Sequence, residues 1–306
     1  MVCERITLAD GHQIPVFGLG TYKCKGSEIE NVVKRSIDLG YRLIDTAFVY
    51  ANEKDIGKAL EEKLIEGNVK REDLFIVTKL WNTKHHPDDV ILAMERSLSE
   101  LRLTYVDLYL IHWPFAMKQV EEDEYDIHGN PEIDIPLEDT WQAMEKCVKL
   151  GYAKSIGISN FNSVQIEKIL KVAEIKPVVN QIEYNPYFIP EKLTKFCEEK
   201  NIRIMGYSPF SGGKLPNLFE EPILLDLAKK YDKTPAQLIL RFLLQCGIIP
   251  IPKSTNAQRL KENINIFDFE LSPRDCEKIK SLNKNERSTN FHSAQKYKEY
   301  PFNMEY

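Results

Sequence analysis

The feature that most narrows what this chain can fold into is a rhythm. Short apolar runs rich in Ile, Val and Leu alternate eight times with longer stretches of helical periodicity and charged outer faces. The runs are 17–21, 42–47, 74–80, 106–113, 154–160, 178–183, 202–208 and 248–254, and helical stretches are predicted at 27–39, 53–66, 88–102, 137–150, 163–173, 190–200, 221–246 and 256–265. Runs that are apolar throughout, with no polar alternation, suit strands covered on both faces. A strand followed each time by a helix implies parallel pairing through right-handed crossovers. Eight such units close into an α/β structure, the (β/α)8 TIM barrel; an open doubly wound sheet is the competing arrangement. Punctuation agrees: Asp88 and Asp89 fall in a first turn, Ser163 precedes a periodic segment, and Gly40 and Gly151 sit just past helix ends.

Before the rhythm begins, 5–8 and 13–16 flank Asp10-Gly11, a turn signal that predicts an N-terminal β-hairpin at the barrel bottom. Two stretches break the pattern. Residues 116–135, with Glu121-Glu122-Asp123-Glu124, read as a long acidic insertion, most simply a solvated loop. From Leu271 onward one more helix is followed by Phe291, Tyr297, Tyr300, Pro301 and Phe302, an aromatic C-terminal tail expected over the active-site face. With no linker and no other repeat, a single domain over 1–306 is the reading, long enough for one large core.

Net charge is −5, which offers no footprint for nucleic acid or an anionic membrane. No apolar run approaches the ~18–20 residues of a membrane span. The start, Met1-Val2-Cys3-Glu4-Arg5, carries a charge pair where a secretory signal has an apolar stretch. Cys3, Cys24, Cys147, Cys197, Cys246 and Cys276 show no CxxC spacing, so reduced thiols in a cytoplasmic protein are expected.

In a barrel of this kind chemistry sits where strands exit into the following loops. The second run ends at Asp45-Thr46-Ala47 with Tyr50 a turn later, the third at Thr78-Lys79, the fourth at Ile111-His112-Trp113. A tyrosine with pKa near ~10 is a poor acid at neutral pH, and a nearby lysine ammonium is expected to depress that value. Asp45 would balance Lys79, because a buried ammonium without a partner is costly. His112 can donate a hydrogen bond to a substrate oxygen, completing a proton donor and a positive pocket for a developing alkoxide. Taken singly, an Asp–Lys pair is usually structural, a strand histidine is more often a core residue, and Tyr50 is a surface aromatic. Their joint placement at successive strand ends points to catalysis. Adjacent His85 and His86 point apart on a loop and lack ligand partners, so no metal is expected. Glu183 would suit glycoside hydrolysis only with a second carboxylate nearby, and the obvious one, Asp45, faces Lys79.

Several stretches then identify a resemblance over nearly the whole chain. They are Gly18-Leu19-Gly20-Thr21-Tyr22, Leu43-Ile44-Asp45-Thr46-Ala47-Phe48-Val49-Tyr50-Ala51-Asn52-Glu53, Ile76-Val77-Thr78-Lys79-Leu80-Trp81 and Asp107-Leu108-Tyr109-Leu110-Ile111-His112-Trp113-Pro114. Gly157-Ile158-Ser159-Asn160-Phe161, Asn180-Gln181-Ile182-Glu183 and Ile251-Pro252-Lys253-Ser254 follow. In this order they resemble the aldo-keto reductase superfamily. The resemblance implies a catalytic tetrad at Asp45, Tyr50, Lys79 and His112, and reversible hydride transfer between NADPH and a small-molecule aldehyde or ketone. The expected protein is thus a monomeric NADPH-dependent carbonyl reductase, without nucleic-acid or membrane partners. The rival from another class is a non-catalytic member, a lens-type structural protein or a channel-associated subunit on the same barrel.

The stretch from Gly18 to Lys23 begins like a GxGxxG dinucleotide fingerprint but ends in Lys, and a Rossmann reading is rejected. The better cofactor signal lies after the eighth run, where Lys253, Ser254, Thr255 and Arg259 open a helix at the place where such barrels commonly bind phosphate. In the resembled family this stretch anchors the adenosine 2′-phosphate through Lys253 and Arg259, with Glu262 and Asn263 at the adenosine end, favouring NADPH over NADH. The resemblance further places Ser159, Asn160 and Gln181 on the carboxamide, Tyr207 against the nicotinamide ring, Ser208 and Ser211 at the pyrophosphate, and Thr21 and Tyr22 on the cofactor. Tyr22, Phe48, Trp81, Trp113, Phe115 and, from the tail, Tyr300 would wall the substrate pocket. Tyr22 stands where sugar-reducing members often have Trp, and Phe48 where His is frequent. Both make the mouth aromatic, which leans towards apolar aldehydes or bulky ketones such as steroids, with sugar aldehydes still open.

Overall fold

The computed structural model describes residues 4–119, 130–213 and 218–304; Cys3 and the acidic run from Glu121 to Glu124 lie outside them. The chain opens with β1 (Arg5–Thr7) paired antiparallel to β2 (Gln13–Pro15), then β3 (Gly18–Gly20), α1 (Gly26–Asp38), β4 (Leu43–Asp45), α2 (Glu53–Ile65), β5 (Phe75–Leu80), α3 (Pro87–Leu101) and β6 (Val106–Ile111). A short antiparallel ribbon, β7 (Ala116–Met117) with β8 (Glu132–Ile133), interrupts the rhythm. It resumes with α4 (Leu137–Lys149), β9 (Ala153–Ser159), α5 (Ser163–Val172), β10 (Val179–Glu183), α6 (Glu191–Glu199) and β11 (Arg203–Tyr207). The remaining elements are α7 (Pro222–Tyr231), α8 (Pro235–Gln245), β12 (Ile249–Pro250), α9 (Ala257–Ile264) and α10 (Pro273–Lys280).

Eight strands pair in parallel in the order β3-β4-β5-β6-β9-β10-β11-β12. The ring is shut where Gly20 N donates to Pro252 O at 3.0 Å. That approach needs glycine, because a Cβ on Gly20 would lie 2.7 Å from the carbonyl oxygen of Ile251. The closed ring is a (β/α)8 barrel and rules out the open doubly wound sheet.

Side chains alternate along each strand, so one set fills the barrel and the other faces the helices. Leu43, Val77, Leu108, Leu110 and Met205 point inward and pack with Leu8 and Ile14 of the hairpin, which plugs the bottom. Ile44, Ile76, Tyr109 and Ile111 join the outer core under the helices. The plug is also tied by polar groups, since Ser155 Oγ donates to Asp10 Oδ2 at 2.6 Å.

Three predicted boundaries differ from the structure. The stretch 221–246 is two helices, because Asp232 turns left-handed (φ +51°) after α7 and Thr234 caps α8, accepting from Gln237 N at 3.2 Å. Pro235 enforces the break, since proline lacks an N–H and pushes its predecessor out of helical geometry. The cap of α5 is Asn162, which accepts from Gln165 N at 3.0 Å, and Ser163 opens the first turn. The last run, 248–254, yields only two residues of strand, because Pro250 and Pro252 cannot donate to a ladder. Gly40 and Gly151 do follow α1 and α4 with positive φ. Among the described residues no helix is long and apolar enough to cross a membrane, and the described cysteines are free thiols.

Candidate active site

Parallel register brings the strand ends to one face. Asp45 pairs with Val77, and Lys79 with Leu110, so Asp45, Lys79 and His112 emerge side by side where β4, β5 and β6 end. Tyr50 closes a single turn of 3-10 helix, Phe48–Tyr50, after which Ala51 is left-handed at φ +53°. That turn is pinned by Asn52, a residue to which the sequence reading assigned no role. It accepts from Thr46 Oγ1 at 2.7 Å and donates to Thr21 O at 3.0 Å and Cys24 O at 2.9 Å. The available signal was its place in the run around Tyr50, where a polar residue after a left-handed position commonly serves the backbone.

Lys79 is fully buried and spends its ammonium donors on Asp45 Oδ1 (2.8 Å), Thr46 O (2.8 Å) and Tyr50 Oη (3.2 Å). Asp45 accepts again through Oδ2, from Gln181 Nε2 at 2.7 Å. Burial pushes Asp45 up and Lys79 down, each towards its neutral form, and their direct contact opposes both shifts. The Tyr50 phenol is held well above its ordinary value, first by burial and then by the charge of Asp45. This corrects the expected depression. Asp45 neutralises most of the positive charge of Lys79, and a phenolate in this site would be poorly solvated. The resting tyrosine therefore keeps its proton. His112 is shifted well below its ordinary value by burial, then by Lys79 and His85, and is neutral at pH 7. Its ring meets Tyr50 edge-on, with centroids 5.7 Å apart.

The residues expected around a nicotinamide form one linked network. Ser159 Oγ donates to Gln181 O (2.8 Å), and Asn160, left-handed at φ +64°, donates through Nδ2 to His112 O (3.0 Å). Tyr207 Oη donates to Asn160 Oδ1 (2.8 Å), and Gln181 carries the chain on to Asp45. The hydroxyl of Thr21 is engaged with Asp45 O at 2.9 Å, while Tyr22 is half exposed, its ring 5.0 Å from that of Tyr50. Ser208 and Ser211 share one turn, Ser211 N donating to Ser208 O at 2.9 Å.

A second group gathers where α9 begins. Asn256 caps the helix by accepting from Arg259 N at 3.0 Å and donates its own N–H to Ser254 Oγ at 3.2 Å. Lys253 and Arg259 are exposed, and neither makes an ion pair with a described residue. Thr255 is partly buried and Asn263 is buried. Glu262 accepts from Gln258 Nε2 at 2.9 Å, along the helix surface.

Phe48, Trp81, Trp113, Phe115 and Tyr300 pack into a single cluster above His112, completed from the tail by Phe291, Tyr297 and Phe302. Phe291 stacks on Trp81 (6.2 Å, 10°) and meets Trp113 and Phe115 edge-on at 5.2 and 5.3 Å. The sequence reading noted Phe291 as part of the tail and gave it no place in the pocket; only folding brings it there. His86 Nδ1 accepts from Asp88 N at the start of α3, and among the described residues no three His, Cys, Asp or Glu side chains converge as metal ligands.

A sequence profile for the Aldo/keto reductase family matches residues 16–284. The chain is 46% identical over 295 residues to aldo-keto reductase family 1 member A1-A of Danio rerio, an alignment covering 92% of this chain and 90% of that one. The solved aldose reductase of Schistosoma japonicum matches with a TM-score of 0.93 at 41% identity, over 99% of this chain and 100% of that one. A Bombyx mori aldo-keto reductase solved in complex with NADP matches with a TM-score of 0.91, also at 41% identity, over 98% of this chain and 99% of that one.

Proposed function

The chain belongs to the aldo/keto reductase family, and on that footing we propose that it reduces an aldehyde or ketone with NADPH, Tyr50 serving as the proton donor. The observation that carries this reading is the position of the Lys79 ammonium, 2.8 Å from Asp45 and 3.2 Å from the Tyr50 hydroxyl.

The residues present fit the cofactor. Two exposed cations without carboxylate partners among the described residues, at the capped start of α9, suit a phosphate monoester. The side-chain amides of Asn160 and Gln181, with the Ser159 hydroxyl, suit a carboxamide at the other end, and Tyr207 offers a ring beside them. When bound, NADPH supplies the hydride.

The rest falls to the chain's own side chains. His112, neutral, donates a ring N–H to the substrate oxygen and orients it. As negative charge develops on that oxygen, Tyr50 releases its proton to it. The phenolate left behind is met by the Lys79 N–H already pointing at it, so Lys79 acts on the transition state and not on the resting phenol. Asp45, held by Gln181, keeps Lys79 in place. Trp81, Trp113 and Phe115 wall the site with apolar surface and keep water out. An aromatic wall of this kind favours an apolar aldehyde or a bulky ketone such as a steroid over a sugar aldehyde. We take the enzyme to be a cytoplasmic monomer, in keeping with the free thiols among the described residues; gel filtration tests the oligomeric state.

The test is turnover. NADPH consumption is measured with an aromatic aldehyde, a ketosteroid and an aldose. Tyr50→Phe is expected to lower kcat by about 10²–10⁴ while leaving NADPH binding, followed by fluorescence quenching, unchanged. A wild-type protein that binds NADPH and turns over no carbonyl would overturn the reading in favour of a non-catalytic member of the family.

A further inference from the structure

A cleft beside the catalytic pocket carries a charge pattern that the carbonyl chemistry does not use. It lies between β5 and α3, with about 270 Å³ of free space that is partly open to solvent. Leu80 and Ala93 give it apolar walls, and Lys84 and Arg96 stand in its lining. Phe48 and Trp81 belong both to this lining and to the aromatic cluster above His112. Among the described residues that line the cleft there is no Asp, Glu, Asn, Gln or His, while three are cationic. One of the three, Lys79, spends its ammonium donors on Asp45, Thr46 and Tyr50. Arg96 lies over the Phe48 ring, 4.9 Å from its centroid, and pairs with Glu100 at 3.5 Å. Lys84 is half-buried and makes no ion pair with a described residue.

Trp81 adds an independent sign. Its indole nitrogen, Nε1, is buried with no hydrogen-bond partner among the described residues, in a residue only 2% exposed. An indole N–H is a donor only, and folded proteins satisfy nearly all their buried donors. A guest that accepts from Trp81 and also meets Lys84 is an acceptor with negative charge. We propose that the cleft binds a small carboxylate, which accepts from Trp81 Nε1, turns its charge to Lys84 and Arg96, and lays its alkyl end against Leu80 and Ala93.

The other guests fit less well. A metal cation finds no carboxylate or imidazole ligand in the lining. Water satisfies the indole but leaves Lys84 without a counter-charge, whereas a hydrogen bond between ions is about twice as strong as a neutral one. A halide supplies the charge but has no alkyl end for the apolar walls. The volume lies just below that of drug-sized sites, which limits the guest to a few atoms. Ser97, also in the lining, donates its hydroxyl to Glu53 Oε2 at 3.0 Å and is already engaged. The site lies behind the walls of the carbonyl pocket, so the inference goes beyond the reductase reading and does not rest on it.

The test follows the indole N–H itself. The chain has three tryptophans, Trp81, Trp113 and Trp141, so ¹⁵N-tryptophan labelling gives three indole signals, and the one lost in Trp81→Phe is assigned. Sodium acetate and sodium butanoate are titrated into the NADPH-bound protein. Ionic strength is held constant with sodium gluconate, whose anion is too large for the cleft. The Trp81 signal is expected to move saturably in the millimolar range, with chloride binding more weakly than acetate and Trp141 unmoved. Lys84→Met should raise the Kd for acetate about tenfold while keeping the wild-type kcat and KM for an aldehyde without added carboxylate. Ala93→Leu fills the cleft from a helix that accepts leucine well and should abolish the response. An unmoved Trp81 signal, a Lys84→Met response equal to that of the wild type, or a response that survives Ala93→Leu would overturn the proposal, as would chloride binding as tightly as acetate. These titrations need no turnover, so a failure of the reductase reading is distinguished from a failure of this one.

Discussion

Glu183, the last residue of β10, accepts hydrogen bonds from both the backbone amide (2.8 Å) and the hydroxyl (2.6 Å) of Ser288. It also accepts from Thr289 N at 2.9 Å and Asn185 Nδ2 at 3.1 Å. A carboxylate at the barrel mouth is thus used to staple the C-terminal tail, two residues before Phe291 enters the aromatic cluster. Glu183→Ala leaves those amides without partners and is expected to lower stability by about 2–4 kcal/mol, measured by denaturant unfolding. It should also raise KM for a bulky ketone several-fold while sparing a small aldehyde. A fall in stability with equal KM values for both substrates would show that the staple does not shape the pocket.

Lys79 and Asp45 are a buried pair, so their single substitutions should be worse than the double one. Lys79→Met leaves a buried carboxylate uncompensated and is expected to lower stability by roughly 3–5 kcal/mol. Combining it with Asp45→Asn should recover most of that loss without recovering turnover. Additive losses in the double variant would mean that the two charges are not coupled as their 2.8 Å contact implies.

Glu53 sits fully buried behind Lys79, accepting from Thr78 Oγ1 (2.6 Å) and Ser97 Oγ (3.0 Å). Burial raises its pKa to about 7 from an ordinary 4.5. The folded protein therefore holds a proton that the unfolded chain releases, and this contribution to stability is complete below pH 4.5 and is lost as pH rises towards 7. Against Glu53→Gln, the wild type should lose about 3 kcal/mol of relative stability between pH 4.5 and pH 8, the range set by that shift. A difference between the two proteins that is flat across this range would refute the buried, protonated assignment.

Lys253 and Arg259 are proposed to meet the 2′-phosphate that distinguishes NADPH from NADH. Lys253→Ala combined with Arg259→Ala removes two charge-assisted hydrogen bonds to that group and should weaken NADPH binding by about 10²-fold, with NADH little affected. Calorimetric titration of both nucleotides checks this. Equal weakening of the two would remove the pair from the phosphate site.

Much of this could be read in the chain because it is local. Strand runs such as 106–113 are mostly apolar without regular polar alternation, and positions such as Gly40 and Gly151 mark helix ends through their backbone conformation alone. Asp45, Lys79 and His112 were legible because a strand end is also a sequence position. The break at Asp232–Thr234 was missed although a Thr-Pro cap signalled it. Phe291 is legible only as one aromatic of the tail, with no assigned contact, and Ser288 carries no signal, since their partners Trp81 and Glu183 are distant in sequence and nothing near the tail specifies them.

The sequence by itself determined the strand–helix alternation, the hairpin plug and which side chains stand at the strand ends, since periodicity and turn chemistry act over a few residues. Tertiary structure alone decided the electrostatics and the shape of the site. Whether Tyr50 is made more or less acidic depends on how far Asp45 cancels Lys79 and how little water reaches the phenol. Whether the tail closes the pocket depends on one buried carboxylate meeting two amides 105 and 106 residues away. Burial and long-range pairing exist only once the barrel has closed, because they belong to the space between elements and not to any one of them.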